Sequence, residues 1–195
     1  MNIRLITIIV SAAAALTIPA AYAGCGDTSG LTAPIQMATS VVSTSLARAE
    51  AKAAQSGETP SIVGLWSFQF ISKGNTSIPD GAQVDFGYVQ IHSDGTEIMN
   101  SGGRAPATEN FCLGVWGKTD TNTYQVNHFA LSYDAVSGSL NGMVNIAETL
   151  TLSPGGTILS GSFAISQYDA KGVTLVAHVV GTISATRITL DSTLP

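Results

Sequence analysis

Short runs of β-branched and aromatic residues, separated by turns of a few residues, fill the sequence from Ser61 onward. The turns end in or near glycine, which supplies the positive φ that tight hairpins require. Such turns are too short to hold crossover helices, so successive strands must be antiparallel neighbours. We distinguish eight runs: Gly64 to Ser72, Gln83 to His92, Thr96 to Ser101, Phe111 to Gly117, Thr123 to Tyr133, Ser139 to Leu152, Thr157 to Tyr168 and Val173 to Ile188. The pattern predicts a mainly β chain folded as an antiparallel meander.

The two outer strands of such a meander would be left with unpaired edges. The last run, Val173 to Ile188, is too apolar to remain an unpaired edge strand. Pairing the first strand with the last removes both edges. We therefore expect an eight-stranded antiparallel up-and-down barrel, with an open sandwich as the alternative.

Residues 1–23 show, in order, the three regions of a secretory signal peptide. Arg4 supplies the positive charge, Leu5 to Ile18 form an apolar run, and Ala21-Tyr22-Ala23 is an A-x-A cleavage site. The apolar run is shorter than the ~20 residues that a membrane-spanning helix needs. We expect export to the periplasm or the extracellular space, with a mature chain that begins at Gly24.

Residues 24–60 form an N-terminal arm ahead of the barrel domain, which we assign to residues 61–195. Between Ala33 and Gln55, apolar residues recur at the spacing of one helical face. These residues are Ile35, Ala38, Val42, Leu46, Ala49 and Ala53. We predict one amphipathic helix before the barrel, which either packs against the barrel or acts as a linker.

The two cysteines, Cys25 and Cys112, leave two structural outcomes open. In an oxidising compartment they would pair, and closing a loop of this length would stabilise the fold by ~3–5 kcal/mol. Cys25 also follows Tyr22-Ala23-Gly24, which resembles a bacterial lipobox. The alternative to a disulfide is therefore a lipoprotein anchored at Cys25.

The low charge of the chain limits the partners that we expect. Lysine and arginine number 8 against 13 aspartates and glutamates, and charged residues make up 11% of the chain, against a usual ~25%. The sequence has no basic cluster, so we expect no nucleic-acid partner, and no membrane contact unless Cys25 is lipidated. The histidines, His92, His128 and His178, fall on different predicted strands without metal-ligand spacing. We expect no metal and no cofactor.

The start and the end of the predicted barrel resemble a known group of proteins. Gly64-Leu65-Trp66 resembles the Gly-x-Trp signature of lipocalins and other calycins, and Arg187 stands where those barrels place an arginine over the Trp ring. The resemblance implies a lipocalin-like barrel. Because the helix here precedes the barrel, dirigent-type and allene oxide cyclase-type barrels remain open. The segments Phe111 to Trp116 and Tyr124 to Leu131 are similar to ones in uncharacterised exported bacterial proteins, which implies no activity.

The fourth and fifth runs carry the side chains of greatest chemical interest. A turn centred on Asp120 predicts that Trp116 faces Tyr124 and Cys112 faces His128, with all four on one side of the hairpin. The other side is more apolar and consists of Phe111, Leu113, Val115, Phe129 and Leu131. Periodicity alone leaves open which side lines the barrel.

We expect a binding module that holds a small hydrophobic or amphipathic molecule in the barrel, because eight strands enclose room for one. The candidate ligand-binding residues are Trp116, Tyr124, His128 and Arg104. Arg104 is included because it is the only cation of the loop from residue 100 to residue 110 and so suits an anionic group.

Two alternatives remain open. The first is a cyclase or isomerase that uses the same space, with His128 and Tyr124 as acid–base groups and Glu148 as a partner of the histidine. The second is a purely structural or interaction protein with a filled barrel.

Overall fold

The computed structural model describes residues 60–108 and 111–193. Eight antiparallel strands pair in sequence order, and the first pairs with the last, so the predicted closed barrel is confirmed. The strands are β1 (Gly64–Ser72), β2 (Gln83–Ile91), β3 (Thr96–Ser101), β4 (Cys112–Asp120), β5 (Thr123–Tyr133), β6 (Leu140–Leu152), β7 (Ile158–Asp169) and β8 (Leu175–Ile188). A single turn of 3₁₀ helix, Pro106–Thr108, lies in the loop between β3 and β4.

The signal peptide, the predicted helix between Ala33 and Gln55, and Cys25 lie outside the described residues and stay predictions. Within the described ranges, no helix is long and apolar enough to span a membrane.

The barrel has two ends that differ in their connections. The first end, where β1 begins, carries the short turns β2–β3, β4–β5 and β6–β7. The second end carries the connections β1–β2, β3–β4, β5–β6 and β7–β8, of which β1–β2 and β3–β4 are the longest.

The register of β4 against β5 differs from the predicted one. Asp120 pairs with Thr123, so the turn is centred later in the chain than predicted. The observed pairs are Trp116–Val126 and Gly114–His128, where the prediction paired Trp116 with Tyr124 and Cys112 with His128. Both strands still present the same residues to each side, because the partner of each residue moves by two positions and the side-chain period of a strand is two.

The side of the hairpin that carries Cys112, Tyr124 and His128 faces the barrel interior, where all three are buried. The more apolar side faces outward, and Leu113 is 60% exposed there. Inside, the hairpin meets a core of large apolar side chains from the other strands, including Phe68. Periodicity left open which side of the hairpin lines the barrel. The structure shows that the more apolar side faces outward.

Closure of the barrel depends on a contact between its first and last strands. Trp66 on β1 pairs with Arg187 on β8, and the guanidinium carbon lies 4.1 Å from the centre of the indole ring. The indole is fully buried, and its Nε1 donates a hydrogen bond to the carbonyl of Ile62 at 2.8 Å. The predicted stacking of Arg187 on Trp66 is confirmed.

Arg187 also ties three backbone segments together at the first end of the barrel. Its Nε donates to the carbonyl of Gly156 at 2.6 Å and its Nη1 donates to that of Val63 at 2.8 Å, while Nη2 donates to the carbonyl of Ser61. Partial burial lowers the pKa of the guanidinium. The side chain therefore joins the start of β1, the end of β8 and the turn before β7.

Arg187→Met should lower the free energy of unfolding by about 2 kcal/mol. Three carbonyls lose a charged hydrogen-bond donor, and the Trp66 indole loses its stacking contact with the guanidinium. Urea denaturation measures the change. Lys171→Met, which removes a cation from the exposed β7–β8 turn, is the control and should shift stability by less than about 0.5 kcal/mol. Equal stability of the two variants would contradict this role for Arg187.

Candidate functional site

His128 lies inside the barrel, 1% exposed, with a buried glutamate at each ring nitrogen. Nε2 donates a hydrogen bond to Oε1 of Glu148 at 3.0 Å. Nδ1 lies 2.7 Å from Oε1 of Glu97, which is an ion-pair distance. The second carboxyl oxygen of Glu97, Oε2, has no hydrogen-bond donor. We call these three residues the Glu–His–Glu cluster.

The charge state of His128 follows from its neighbours. Burial by itself lowers the pKa of the imidazole, but Glu148, through its charge and its hydrogen bond, and Glu97 together outweigh burial and raise the pKa to about 10. At neutral pH the ring is therefore an imidazolium that faces two carboxyl groups. Neither nitrogen has a lone pair with which to accept a proton from a substrate.

A glycine makes room for the cluster. Gly114 on β4 pairs with Glu97 of β3 on one side and with His128 of β5 on the other. A Cβ atom at Gly114 would lie 2.5 Å from Oε1 of Glu97 and 2.9 Å from Cβ of His128. The missing side chain lets Glu97 reach across β4 to the imidazole. Glu148 approaches from β6, on the far side of β5.

The cluster borders a small cavity in the barrel interior. The other nine lining side chains are apolar and include Phe68, Met99 and Leu150. The cavity volume is about 10 Å³, which is roughly the room for one water molecule. The space beside the cluster is therefore almost filled by protein atoms, and the three cluster residues are the polar part of a wall that is otherwise apolar.

The cluster is not arranged to hold a metal ion. Each ring nitrogen of His128 points at a different glutamate, so the three side chains do not converge on one point. In the part of the chain that the structure describes, no group of three His, Cys, Asp or Glu residues is placed to bind a metal.

Trp116 and Tyr124 lie toward the first end of the barrel, and their cross-strand partners, Val126 and Leu150, line the cavity. Their rings make an edge contact with centres 5.9 Å apart. The indole Nε1 of Trp116 donates to the carbonyl of His92 at 2.9 Å, which fastens the β2–β3 turn to β4. Neither residue lines the cavity. Of the candidate ligand-binding residues, only His128 does so.

Arg104 lies in the β3–β4 loop, at the second end of the barrel, and is 7% exposed. Its Nη2 donates to the carbonyl of Val84 at 3.2 Å. Burial raises the pKa of the neighbouring Asp85, an effect that the charge of Arg104 opposes. Ser101 also donates to both oxygens of Asp85. The structure thus places Arg104 beside a buried carboxyl group and separates it from the Glu–His–Glu cluster.

Cys112 is fully buried at the start of β4. Its predicted disulfide partner, Cys25, lies outside the described residues, so the bridge and the alternative lipid anchor both stay predictions.

Sequence patterns singled out His128 and Glu148 but missed Glu97 and Gly114. The signal for Glu97 was its place in β3, where it alternates with outward residues and shares a side with Met99. A glutamate on the apolar side of a short strand is a candidate buried carboxyl group. Gly114 carried no signal of its own, because its role depends on which residues flank it on β3 and β5.

In comparisons with known proteins, no family model matches this chain, and no curated protein is similar to it.

Gly114→Ala should destabilise the barrel by about 1–3 kcal/mol, because the new methyl group collides with Glu97 and with the backbone next to His128. Chemical denaturation measures the loss. Gly117→Ala on the same strand is the matched control, because a Cβ atom there meets no atom within 4 Å. If the Gly114→Ala protein were as stable as the Gly117→Ala protein, the barrel would not need a residue without a side chain at position 114.

Proposed function

We propose that the barrel is a binding module for a small, largely apolar molecule that carries a hydrogen-bond donor. The observation that carries the proposal is Oε2 of Glu97, a buried oxygen of a cavity-lining carboxyl group that has no hydrogen-bond donor. An unpaired buried acceptor is costly, by about 1–3 kcal/mol or more for a charged group. A donor on a bound molecule would remove that cost.

The rest of the cavity supports the same chemistry. Apolar side chains supply the wall against which a hydrocarbon portion would pack. The single imidazolium of His128 faces two carboxyl groups, so the cluster favours a neutral donor or a cation over an anion.

The size of the cavity restricts the ligand. Room for roughly one water molecule means that any larger ligand must displace side chains of the wall. Met99 is the most adaptable of these, because an unbranched side chain with three rotatable bonds changes shape at low cost. We infer a ligand of a few non-hydrogen atoms, or a longer one that enters as the barrel side chains rearrange.

The enzyme alternative, a cyclase or isomerase with His128 and Tyr124 as acid–base groups, has less support. His128 is an imidazolium engaged at both nitrogens, and Tyr124 lies outside the cavity wall. A lipocalin-like relationship, suggested by Gly64-Leu65-Trp66 and Arg187, agrees with binding because an eight-stranded barrel can hold one small ligand.

A series of short linear alkyl compounds with one head group each tests the proposal. Alkylamines and alkanols should shift the NMR signal of the Met99 methyl group and raise the melting temperature, whereas alkanoates of equal length should do neither. The reason is that only the amines and alcohols donate to Glu97.

Glu97→Gln should weaken amine binding by about 10–100-fold, since a hydrogen bond to a charged group contributes about 1.5–3 kcal/mol. Asp85→Asn, which alters a buried carboxyl group that has its own donors, is the control and should bind as the wild type does. If no compound moves the Met99 signal, the barrel is a filled structural core and the binding function is wrong.

A further inference from the structure

The outer surface of β3, β4 and β5 carries an exposed apolar face. It consists of Ile98, Phe111, Leu113, Val115 and Phe129, each between 39% and 60% exposed. Leu113 pairs with Ile98 of β3 and with Phe129 of β5, so these three form one row across the strands. Val115 of β4 and Phe111, the residue just before β4, flank Leu113. We call this surface the β4 face.

The β4 face exposes enough apolar surface to contribute to a protein interface. Five large apolar side chains, each about half exposed, present roughly 500 Å² of apolar surface, which is at the upper end of what a monomeric protein exposes. Burying this surface on two molecules would remove roughly 1,000 Å², close to the lower limit for a specific interface.

The charges of the barrel are placed where they leave its outer wall neutral. Within the strands, Asp85, Glu97 and Glu148 face inward. Four others lie at or near strand ends: Lys118, Asp120, Asp169 and Arg187. The remaining charged residues of the described part lie in loops and turns. No outward position in the middle of these strands carries Asp, Glu, Lys or Arg.

This placement points to a second copy of the same chain as the occupant. The chain has a net charge of −5, so two copies repel one another wherever their charged ends approach. No side chain of the β4 face is charged, so a contact between two such faces buries no charge. The residues beside the face include the uncharged Thr96, Asn100 and Asn127, which suit the polar rim of an interface. Thr96 donates to the exposed carboxylate of Asp94.

We propose that the protein forms a twofold-symmetric dimer through the β4 face, with the Leu113 row of one copy against that of the other. A twofold contact uses the same patch on both copies, so a neutral, apolar patch is self-complementary. The closed barrel leaves no free strand edge, so the dimer forms by side-chain packing and not by strand addition. This inference is independent of ligand binding inside the barrel.

Sedimentation equilibrium of the protein across micromolar concentrations tests the proposal. The wild type should show the mass of a dimer. Leu113→Gln and Phe129→Gln should each weaken dimerisation by at least about tenfold, which corresponds to ~1.4 kcal/mol, because each replaces a central apolar anchor of the interface with a polar side chain. Val176→Gln is the control, since Val176 is also 57% exposed but lies on β8, and it should leave the dimer intact.

Circular dichroism and urea denaturation of each variant confirm that the barrel is folded, which is expected because all three side chains are exposed. A wild type that stays monomeric throughout would overturn the proposal. A dimer that Leu113→Gln and Phe129→Gln do not weaken would also overturn it, because the interface would then lie elsewhere. Binding of the wild type as a monomer to phosphatidylcholine vesicles would assign the β4 face to a lipid surface instead.

Discussion

The interior of the barrel is organised around one buried imidazolium held between two glutamates. Taking charges out of water is costly unless they are paired, and His128 meets this condition through Glu97 on β3 and Glu148 on β6. The three residues come from β3, β5 and β6, so they connect strands that are distant in sequence. Gly114 completes the arrangement, because only a residue without a side chain lets Glu97 reach across β4.

The same cluster links stability to pH. The pKa of His128 is raised from 6.5 to about 10, so its stabilising effect is fully present below pH 6.5 and is lost as the pH rises through about 10. The cluster leaves one oxygen without a hydrogen-bond donor, Oε2 of Glu97. The proposed binding function rests on that oxygen.

The fold was largely predictable from the sequence because turn chemistry and strand alternation act locally. β1, β3 and β5 begin and end at the predicted residues, and the pairing of Trp66 with Arg187 follows from closure. The β4–β5 register was wrong because a small shift in the turn moves every partner. A local pattern does not show how many residues form the turn.

The site was less predictable, because it depends on which residues become neighbours across strands. His128 was identified by its chemistry, yet its raised pKa comes from Glu97 and Glu148, which are far from it in sequence. Trp116 and Tyr124 are on the inward side of their strands, but their cross-strand partners, Val126 and Leu150, line the cavity and they do not. Arg104 is the only cation of its loop, and its burial beside Asp85 became visible only in three dimensions.

An NMR titration of the ring nitrogens of His128 measures the protonation state at the middle of the cluster. Both nitrogens should stay protonated at neutral pH, and the ring should lose a proton only near pH 10. A ring that titrates near its ordinary value of about 6.5, or that is a neutral tautomer at pH 7, would contradict this protonation state.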